Sequence, residues 1–295
     1  MSENNAPRSV LLATRPLVPP WDEASKNFAY FLGRSVSHHR LTLLTTEKKL
    51  ENLPASAQAV PLFSSGRFDW RSKWALLSYL VTKSRTFDII HYLFTPTTLN
   101  TGLIRFLARP KGVKTVQTIA TLRDDLYSPG TLKNLLFADQ LIVYTDRTKE
   151  KLSKLGFQNV TRIYPGIDLE RYSPKGKDEG LLRQFGFDAS HFLVIYPGEY
   201  VRLGATDMLA DAIIRYFQEH QDTNLRFVFA CRVKNEADAA KKKEVQERLE
   251  AAGVSHFIAY SDTIADMSAL YNTADVVADG STGRRLSQRC GQIRS

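Results

Sequence analysis

FLVIYPGEYVRLGATDMLADAIIRYF, residues 192–217, is the stretch whose reading decides the fold. Phe192 to Tyr196 form an unbroken apolar run, the pattern of a strand buried on both faces of a parallel sheet. Pro197-Gly198 is expected to break that strand. The turn that follows carries one cation, Arg202, and a second glycine, Gly204. Thr206 is the expected N-cap of a helix whose apolar face is Leu209, Ile213, Tyr216 and Phe217. Such a strand–turn–helix aims backbone N–H groups and a positive dipole end at whatever lies above the turn. With Arg202 beside it, the turn could seat a phosphate. An ordinary βα turn with a surface arginine fits the same letters.

The alternation extends in both directions. Toward the N-terminus, strands are expected at Val10–Ala13, Leu41–Leu44, Asp88–Leu93, Thr115–Ile119 and Gln140–Tyr144. Helices are expected at 26–36, 67–85, 99–107, 132–137 and 148–155. In the helix over 67–85, Trp70, Trp74, Leu77 and Leu80 or Val81 are read as a core-facing stripe, with contact to a membrane surface as the alternative. After a linker rich in turn residues (164–177), the pattern restarts with strand 192–196, helix 206–219, strand 225–230, helix 236–252, strand 256–259, helix 264–272 and strand 275–277. Strands alternating with helices at this pitch imply βαβ units and parallel sheets. The expected architecture is α/β, with domains at 1–170 and 171–295 facing a cleft where ligands sit beyond the C-terminal strand ends. After Val277 the periodicity stops. Residues 278–295 carry four arginines and no glutamate, and are expected to be an irregular tail that leaves the second domain incomplete.

A chain of 295 residues with 43% apolar and 24% charged residues suits a two-domain globular protein. No run of 18 apolar residues is present, and the opening residues do not fit a signal peptide. Two cysteines, Cys231 and Cys290, give neither a disulfide framework nor metal-ligand spacing. A reducing cytosol is the expected compartment, with peripheral placement at the inner face of a membrane as an extension. The net charge of +9 is uneven: residues 1–170 hold 23 Lys and Arg against 14 Asp and Glu, whereas residues 171–295 hold 17 of each. The basic half could face nucleic acid, anionic lipid or a phosphorylated substrate, or be merely a solvated surface.

No G-x-G-x-x-G follows a strand, and no G-x-x-x-x-G-K-[ST] or G-x-S-x-G occurs. This argues against dinucleotide enzymes, P-loop NTPases and serine hydrolases. Glu236-Ala237-Asp238 is the nearest approach to a metal-binding acid pair and reads as a solvated helix end, so no metal and no cofactor are expected. His91 ends the strand FDIIH where ligands bind in such sheets. It could serve acid–base or hydroxyl-binding work, or be a satisfied, partly buried structural histidine. In the first βα turn, Asp22, Glu23, Ser25 and Lys26 could contact sugar hydroxyls, or Asp22 or Ser25 could cap the helix.

Four segments in order resemble the family 4 retaining glycosyltransferases of the GT-B fold: VLLATRPLVPPWDEASKNFAYFL (10–32), FDIIHYLFTPT (87–97), FADQLIVYTDRTKEKLSKLGFQNVTRIYPGIDLERYSP (137–174) and YPGEYVRLGATDMLADAI (196–213). The stretch 249–277 is similar to the passage leading to that family's base pocket. The resemblance implies two Rossmann-like domains, a nucleotide-sugar donor, a glycan or lipid-linked acceptor, and transfer with retention at the anomeric carbon; beside it, peripheral contact with an anionic membrane and no nucleic-acid partner are expected. By match it places Arg202 as the catalytic cation at the leaving diphosphate. Gly198, Glu199, Gly204, Tyr260 and Ser261 then lie around the donor, and Asp22, Glu23, Ser25, Lys26 and His91 on the acceptor side.

The chain also departs from that pattern. Ala24 stands where the family usually carries a glycine, and Glu199 and Leu203 stand where a second basic residue is common. The run Thr118-Ile119-Ala120 lacks the family's histidine. The two glutamates eight positions apart after the strand at 275–277 are missing; Glu236 and Glu244 have the spacing but lie upstream. An inactive or purely nucleotide-sugar-binding protein, truncated relative to the family, is therefore the alternative expectation.

Overall fold

The computed structural model describes residues 6–19, 21, 24–93, 97–105, 112–122, 126–201, 205–220, 223–262 and 266–278. The chain divides into two compact units between Gly166 and Ile167.

The first unit runs β1 (Ser9–Ala13), α1 (Ala24–Ser35), β2 (Arg40–Thr45), β3 (Ala57–Pro61), α2 (Trp70–Lys83), β4 (Ile89–Tyr92), α3 (Thr98–Leu103), β5 (Lys114–Ile119), α4 (Pro129–Leu135), β6 (Gln140–Val143), α5 (Asp146–Lys154) and β7 (Val160–Arg162). Its seven strands form one sheet in the order β3-β2-β1-β4-β5-β6-β7, and every pairing is parallel. The order reverses between β1 and β4, which makes that point the crevice of the sheet. β1 and β2 are almost wholly buried because helices cover both their faces. One face packs Leu11, Leu44, Ile90 and Tyr92 under Leu76, Leu77 and Leu80 of α2. The other packs Leu12, Leu41 and Leu43 under Ala29 of α1. Gly33 lets α1 close on β2, since a Cβ there would lie 2.7 Å from Leu43 Cδ2.

The second unit runs α6 (Glu179–Gln184), β8 (Phe192–Glu199), α7 (Thr206–Glu219), β9 (Leu225–Arg232), α8 (Glu236–Ala251), β10 (Ile258–Tyr260), α9 (Met267–Thr273) and β11 (Val276–Val277). Its four strands are ordered β10-β9-β8-β11 and all parallel. This sheet too reverses next to its first strand, between β8 and β11. Its core holds Tyr196, Phe217, Phe227, Phe229, Val245 and Leu249 on one side. Leu182, Leu193, Ile195, Val228 and Leu270 fill the other.

Several expectations are corrected. Pro197-Gly198 does not break β8: Pro197, Gly198 and Glu199 pair with Ala230, Cys231 and Arg232. Ile195 takes a hydrogen bond from Ala278, so Pro197, two residues on, turns its missing N–H to the same side, and β11 ends at Val277. Thr206 is not the N-cap of α7. Ala205 holds that position without a side-chain cap, and the Thr206 hydroxyl donates instead to the Tyr200 carbonyl at 2.8 Å. On α2 the buried residues are Ser72, Leu76, Leu77 and Leu80, while Trp70 and Trp74 are exposed; the tryptophans are not core. The end of α8 is not simply solvated: Asp238 is buried. Asn235 Oδ1 accepts from the Asp238 N–H at 2.9 Å, and Asp238 Oδ2 accepts from the Lys234 N–H at 3.2 Å. β3, β7 and α6 were not expected.

Candidate functional site

The switch point of the smaller sheet lies at the C-terminal end of β8, where open α/β sheets bind ligands. Register fixes what gathers there: Glu199 ends β8 and faces Arg232, which ends β9. Glu199 is buried. Its carboxylate binds the ammonium of Lys234, two residues past β9, and lies 3.7 Å from Nη2 of Arg232. Lys234 is itself fixed because Asn235 caps α8 directly after it. Two cations thus meet Glu199 at the strand ends, with the buried carboxylate of Asp238 accepting from the Lys234 N–H beside them. One strand further out, Asp262 is bound by Lys242 at 2.6 Å.

The first turn of α7 opens beside this cluster. Among the described residues no side chain caps its N-terminal N–H groups, the kind of helix start that can receive an anion. Asp207 in that turn is held by Lys241 at 2.7 Å and Arg248 at 2.8 Å, and the bond from Lys241 lowers its pKa first of all. Its charge is thereby largely offset.

Beneath the strand ends lies an aromatic stack. The Tyr200 ring stacks on Phe229 (6.4 Å between centroids, 17°), and Phe229 stacks on Tyr260 (5.6 Å, 11°). The hydroxyls of Tyr200 and Tyr260 are buried and have no hydrogen-bond partner among the described residues. Burial raises both phenols, Tyr260 to about 12 and Tyr200 further; both are neutral hydroxyls at any physiological pH. Cys231, between them on β9, is buried and pushed up to about 12 by desolvation, so it is an inert thiol.

Of the residues singled out for the donor, Gly198, Glu199, Tyr260 and Ser261 come to this one edge. Gly198 and Glu199 lie on β8 and Tyr260 ends β10, and the Ser261 N–H donates to the Phe229 carbonyl at 2.9 Å. Arg202 and Gly204 lie outside the described residues. The sequence reading missed Arg232 and Lys234. It ended β9 at Ala230, two residues short, so neither cation stood at a strand end.

In the first unit, His91 lies on β4 at the switch point, opposite Leu12 of β1. It is buried, and its Nε2 is 2.7 Å from Thr118 Oγ1. Desolvation lowers its pKa to about 4, so the imidazole is neutral at pH 7. Ser25 and Lys26 sit in the first turn of α1, with Lys26 buried. Trp21 stacks on Tyr30 at 4.4 Å, and its carbonyl accepts from Asn27 at 3.2 Å, which ties that turn to the helix. Asp22 and Glu23 lie outside the described residues. Among the described residues no group of His, Cys, Asp or Glu side chains could hold a metal ion, and no helix is long and apolar enough to cross a membrane.

The sequence matches no protein-family model and no curated relative. The fold, however, matches solved structures over most of its length. HepE from Anabaena, in complex with UDP and glucose, is 16% identical with a TM-score of 0.64, over 92% of this chain and 73% of that one. Sucrose-phosphate synthase from Thermosynechococcus elongatus is 13% identical with a TM-score of 0.64, over 92% and 74%. A glycosyltransferase from Rickettsia africae is 12% identical with a TM-score of 0.58, over 92% and 72%. Identities this low speak to fold. The protein has the α/β GT-B architecture: two Rossmann-like units, each built on a parallel sheet.

Proposed function

We propose that this chain is a glycosyltransferase that moves a sugar from a nucleotide-sugar donor to a hydroxyl of a glycan or lipid-linked acceptor, with retention at the anomeric carbon. The observation that carries the reading is the C-terminal edge of the smaller sheet. There Arg232 and Lys234 meet at Glu199 beside the uncapped start of α7, in a fold shared with a protein solved with UDP and glucose.

In this reading the donor diphosphate lies over the turn after β8. Arg202 and the N–H groups of that turn, with Gly198 and Gly204 allowing close backbone approach, meet the charge that grows on the leaving phosphate. Glu199 holds Lys234 and Arg232 at the strand ends, and Tyr260 and Ser261 lie toward the base. Retention implies a front-face displacement. The bond from the anomeric carbon to the phosphate oxygen breaks, the acceptor oxygen bonds the same face, and the acceptor proton passes to the leaving diphosphate. Asp22, Glu23, Ser25 and Lys26 belong to the acceptor side, where His91, neutral at pH 7, can contribute a hydrogen bond but no charge. Peripheral contact with an anionic membrane belongs to the same reading.

A second reading is a nucleotide-sugar-binding protein without turnover. It is favoured by residues 278–295, which follow β11 and hold no glutamate. Calorimetric titration with UDP, GDP and their glucose conjugates, followed by assays for hydrolysis and transfer, separates the two. Binding with turnover, and a product of unchanged anomeric configuration by NMR, is the expected result. Binding without turnover selects the second reading, and no binding of any nucleotide rejects both.

A further inference from the structure

Two buried polar side chains of the first unit meet on adjacent strands. His91 on β4 and Thr118 on β5 are each the next-to-last residue of their strand, so both stand near the C-terminal edge of the sheet. They are 8% and 6% exposed, and His91 Nε2 lies 2.7 Å from Thr118 Oγ1. β4 flanks the point where the strand order reverses, the place where open α/β sheets take their ligands. The surroundings of the pair are apolar. Ile89 and Leu93, two residues before and after His91, pack in one core with Ala29 of α1, so the imidazole belongs to the face that α1 covers. Phe28 of α1 reaches Tyr144, just past β6, at 5.9 Å between ring centroids. The helix that carries Ser25 and Lys26 in its first turn therefore covers the same face as the pair.

An imidazole has two ring nitrogens, and one of them is used here. Nε2 has Thr118, whereas Nδ1 makes no hydrogen bond among the described residues. Desolvation lowers the pKa of the ring to about 4, so at pH 7 it is neutral and exists as one of two tautomers. With the proton on Nε2, that N–H donates to Thr118 Oγ1 and Nδ1 is a bare acceptor. With the proton on Nδ1, Thr118 donates to Nε2 and a buried N–H is left without a partner, a costly orphan. The first arrangement is the one this site favours. Packing alone does not call for it: Leu and Val would fill the same volume with no polar group to satisfy. A bare acceptor at a ligand-binding edge fits a hydroxyl that arrives with the ligand.

We infer that Thr118 is a positioning residue: it fixes His91 with the proton on Nε2, and Nδ1 then accepts a hydrogen bond from a hydroxyl of the substrate sugar. That hydroxyl lies beside the reacting group, because the reacting proton passes to the leaving diphosphate. The identity of the ligand rests on the transfer reading above; the tautomer and its dependence on Thr118 do not. The test is long-range 1H–15N correlation of the His91 ring in the full chain, with the signals assigned by their loss in His91→Gln. The wild type is expected to show one tautomer, protonated on Nε2. Thr118→Val keeps the volume and removes the hydroxyl. It should abolish the single tautomer and lower kcat/KM for transfer about three- to tenfold, the worth of one neutral hydrogen bond, with UDP binding unchanged. Thr118→Ser should restore both. In a His91→Gln background, Thr118→Val should lower kcat/KM no further, since it acts through the ring. Methyl glucoside, methyl galactoside, methyl mannoside and UDP-glucose are then added in turn to the wild type. At least one is expected to shift the Nδ1 signal, and UDP alone should leave it in place. A shift with a glycoside assigns the hydroxyl to the acceptor, and a shift with UDP-glucose alone assigns it to the donor sugar; both support the proposal. A proton on Nδ1, a tautomer indifferent to Thr118→Val, or an Nδ1 signal that no sugar moves overturns it. The tautomer and the sugar titrations need no variant, so they decide the matter even if Thr118→Val does not fold. A wild type with the tautomer and the sugar shift but no transfer would reject the enzymatic reading and leave this pair assigned.

Discussion

Lys234 reaches from the loop after β9 to the buried carboxylate of Glu199 at the end of β8, so the two central strands of the smaller sheet are tied at the edge where a ligand would sit. A buried carboxylate robbed of its partner is destabilising, although Arg232 at 3.7 Å softens the loss here. Lys234→Met is expected to lower unfolding stability by about 1–3 kcal/mol. Glu199→Gln combined with Lys234→Met should cost less than the sum of the two single changes, because the double variant leaves no buried carboxylate without its ammonium. Urea denaturation of the four proteins measures the coupling; strictly additive effects would show that the pair is not energetically linked.

How much of this was legible in the sequence depends on range. The apolar run 192–196 and the helical spacing of Leu209, Ile213 and Phe217 are local signals, and both became β8 and α7. The edge strands β3 and β7 are short and only partly buried, so no apolar alternation marks them. Trp70 and Trp74 misled because a helical stripe of apolar letters carries no sign of which side faces the sheet. Leu77 and Leu80 of the expected stripe are buried, but packing joined them to Leu76 and Ser72 rather than to the tryptophans. The Glu199–Lys234 pair joins residues 35 apart. It exists only because β8 and β9 pair in one register, which no local pattern encodes.

His91 supplies a pH signature. Its folded pKa, lowered to about 4 by burial, lies below the unfolded value of about 6.5. The unfolded chain therefore binds the extra proton first as pH falls. The stability contributed by keeping this ring neutral is complete above about pH 6.5 and is lost as pH falls toward 4. The loss between pH 7.5 and 4.5 should be on the order of 2–3 kcal/mol. Other groups titrate over the same range, so the quantity to measure is the difference between wild type and His91→Gln in urea unfolding at both pH values. A pH-independent difference would mean that the ring is solvated in the folded state.

Gly33 tests the packing of α1. Leu43 is fully buried on β2, so it can give way only by disturbing its neighbours, and a Cβ at position 33 would approach its Cδ2 to 2.7 Å. Gly33→Val is expected to cost about 1–3 kcal/mol through overpacking, read as a lower midpoint in urea with an unchanged slope. A variant as stable as wild type would show that α1 is free to lift from the sheet.

Arg202→Ala addresses the phosphate assignment directly. Arg202 follows β8 in the sequence, between Glu199 and the start of α7 at Ala205, and lies outside the described residues. In the proposed donor pose a diphosphate meets its guanidinium, whereas a nucleoside held only through its base near Tyr260 does not. The substitution should therefore weaken UDP binding by about 1–3 kcal/mol, the range for a hydrogen bond to a charged group, and leave uridine binding nearly unchanged. The contrast matters more than either number: a general disturbance of the site would weaken both ligands alike, while loss of a cation at the diphosphate weakens only the one that carries it. An unchanged dissociation constant for UDP, measured by titration calorimetry at low ionic strength where such a charge acts most strongly, would remove Arg202 from the donor site. The phosphate would then fall to Lys234 and Arg232 alone.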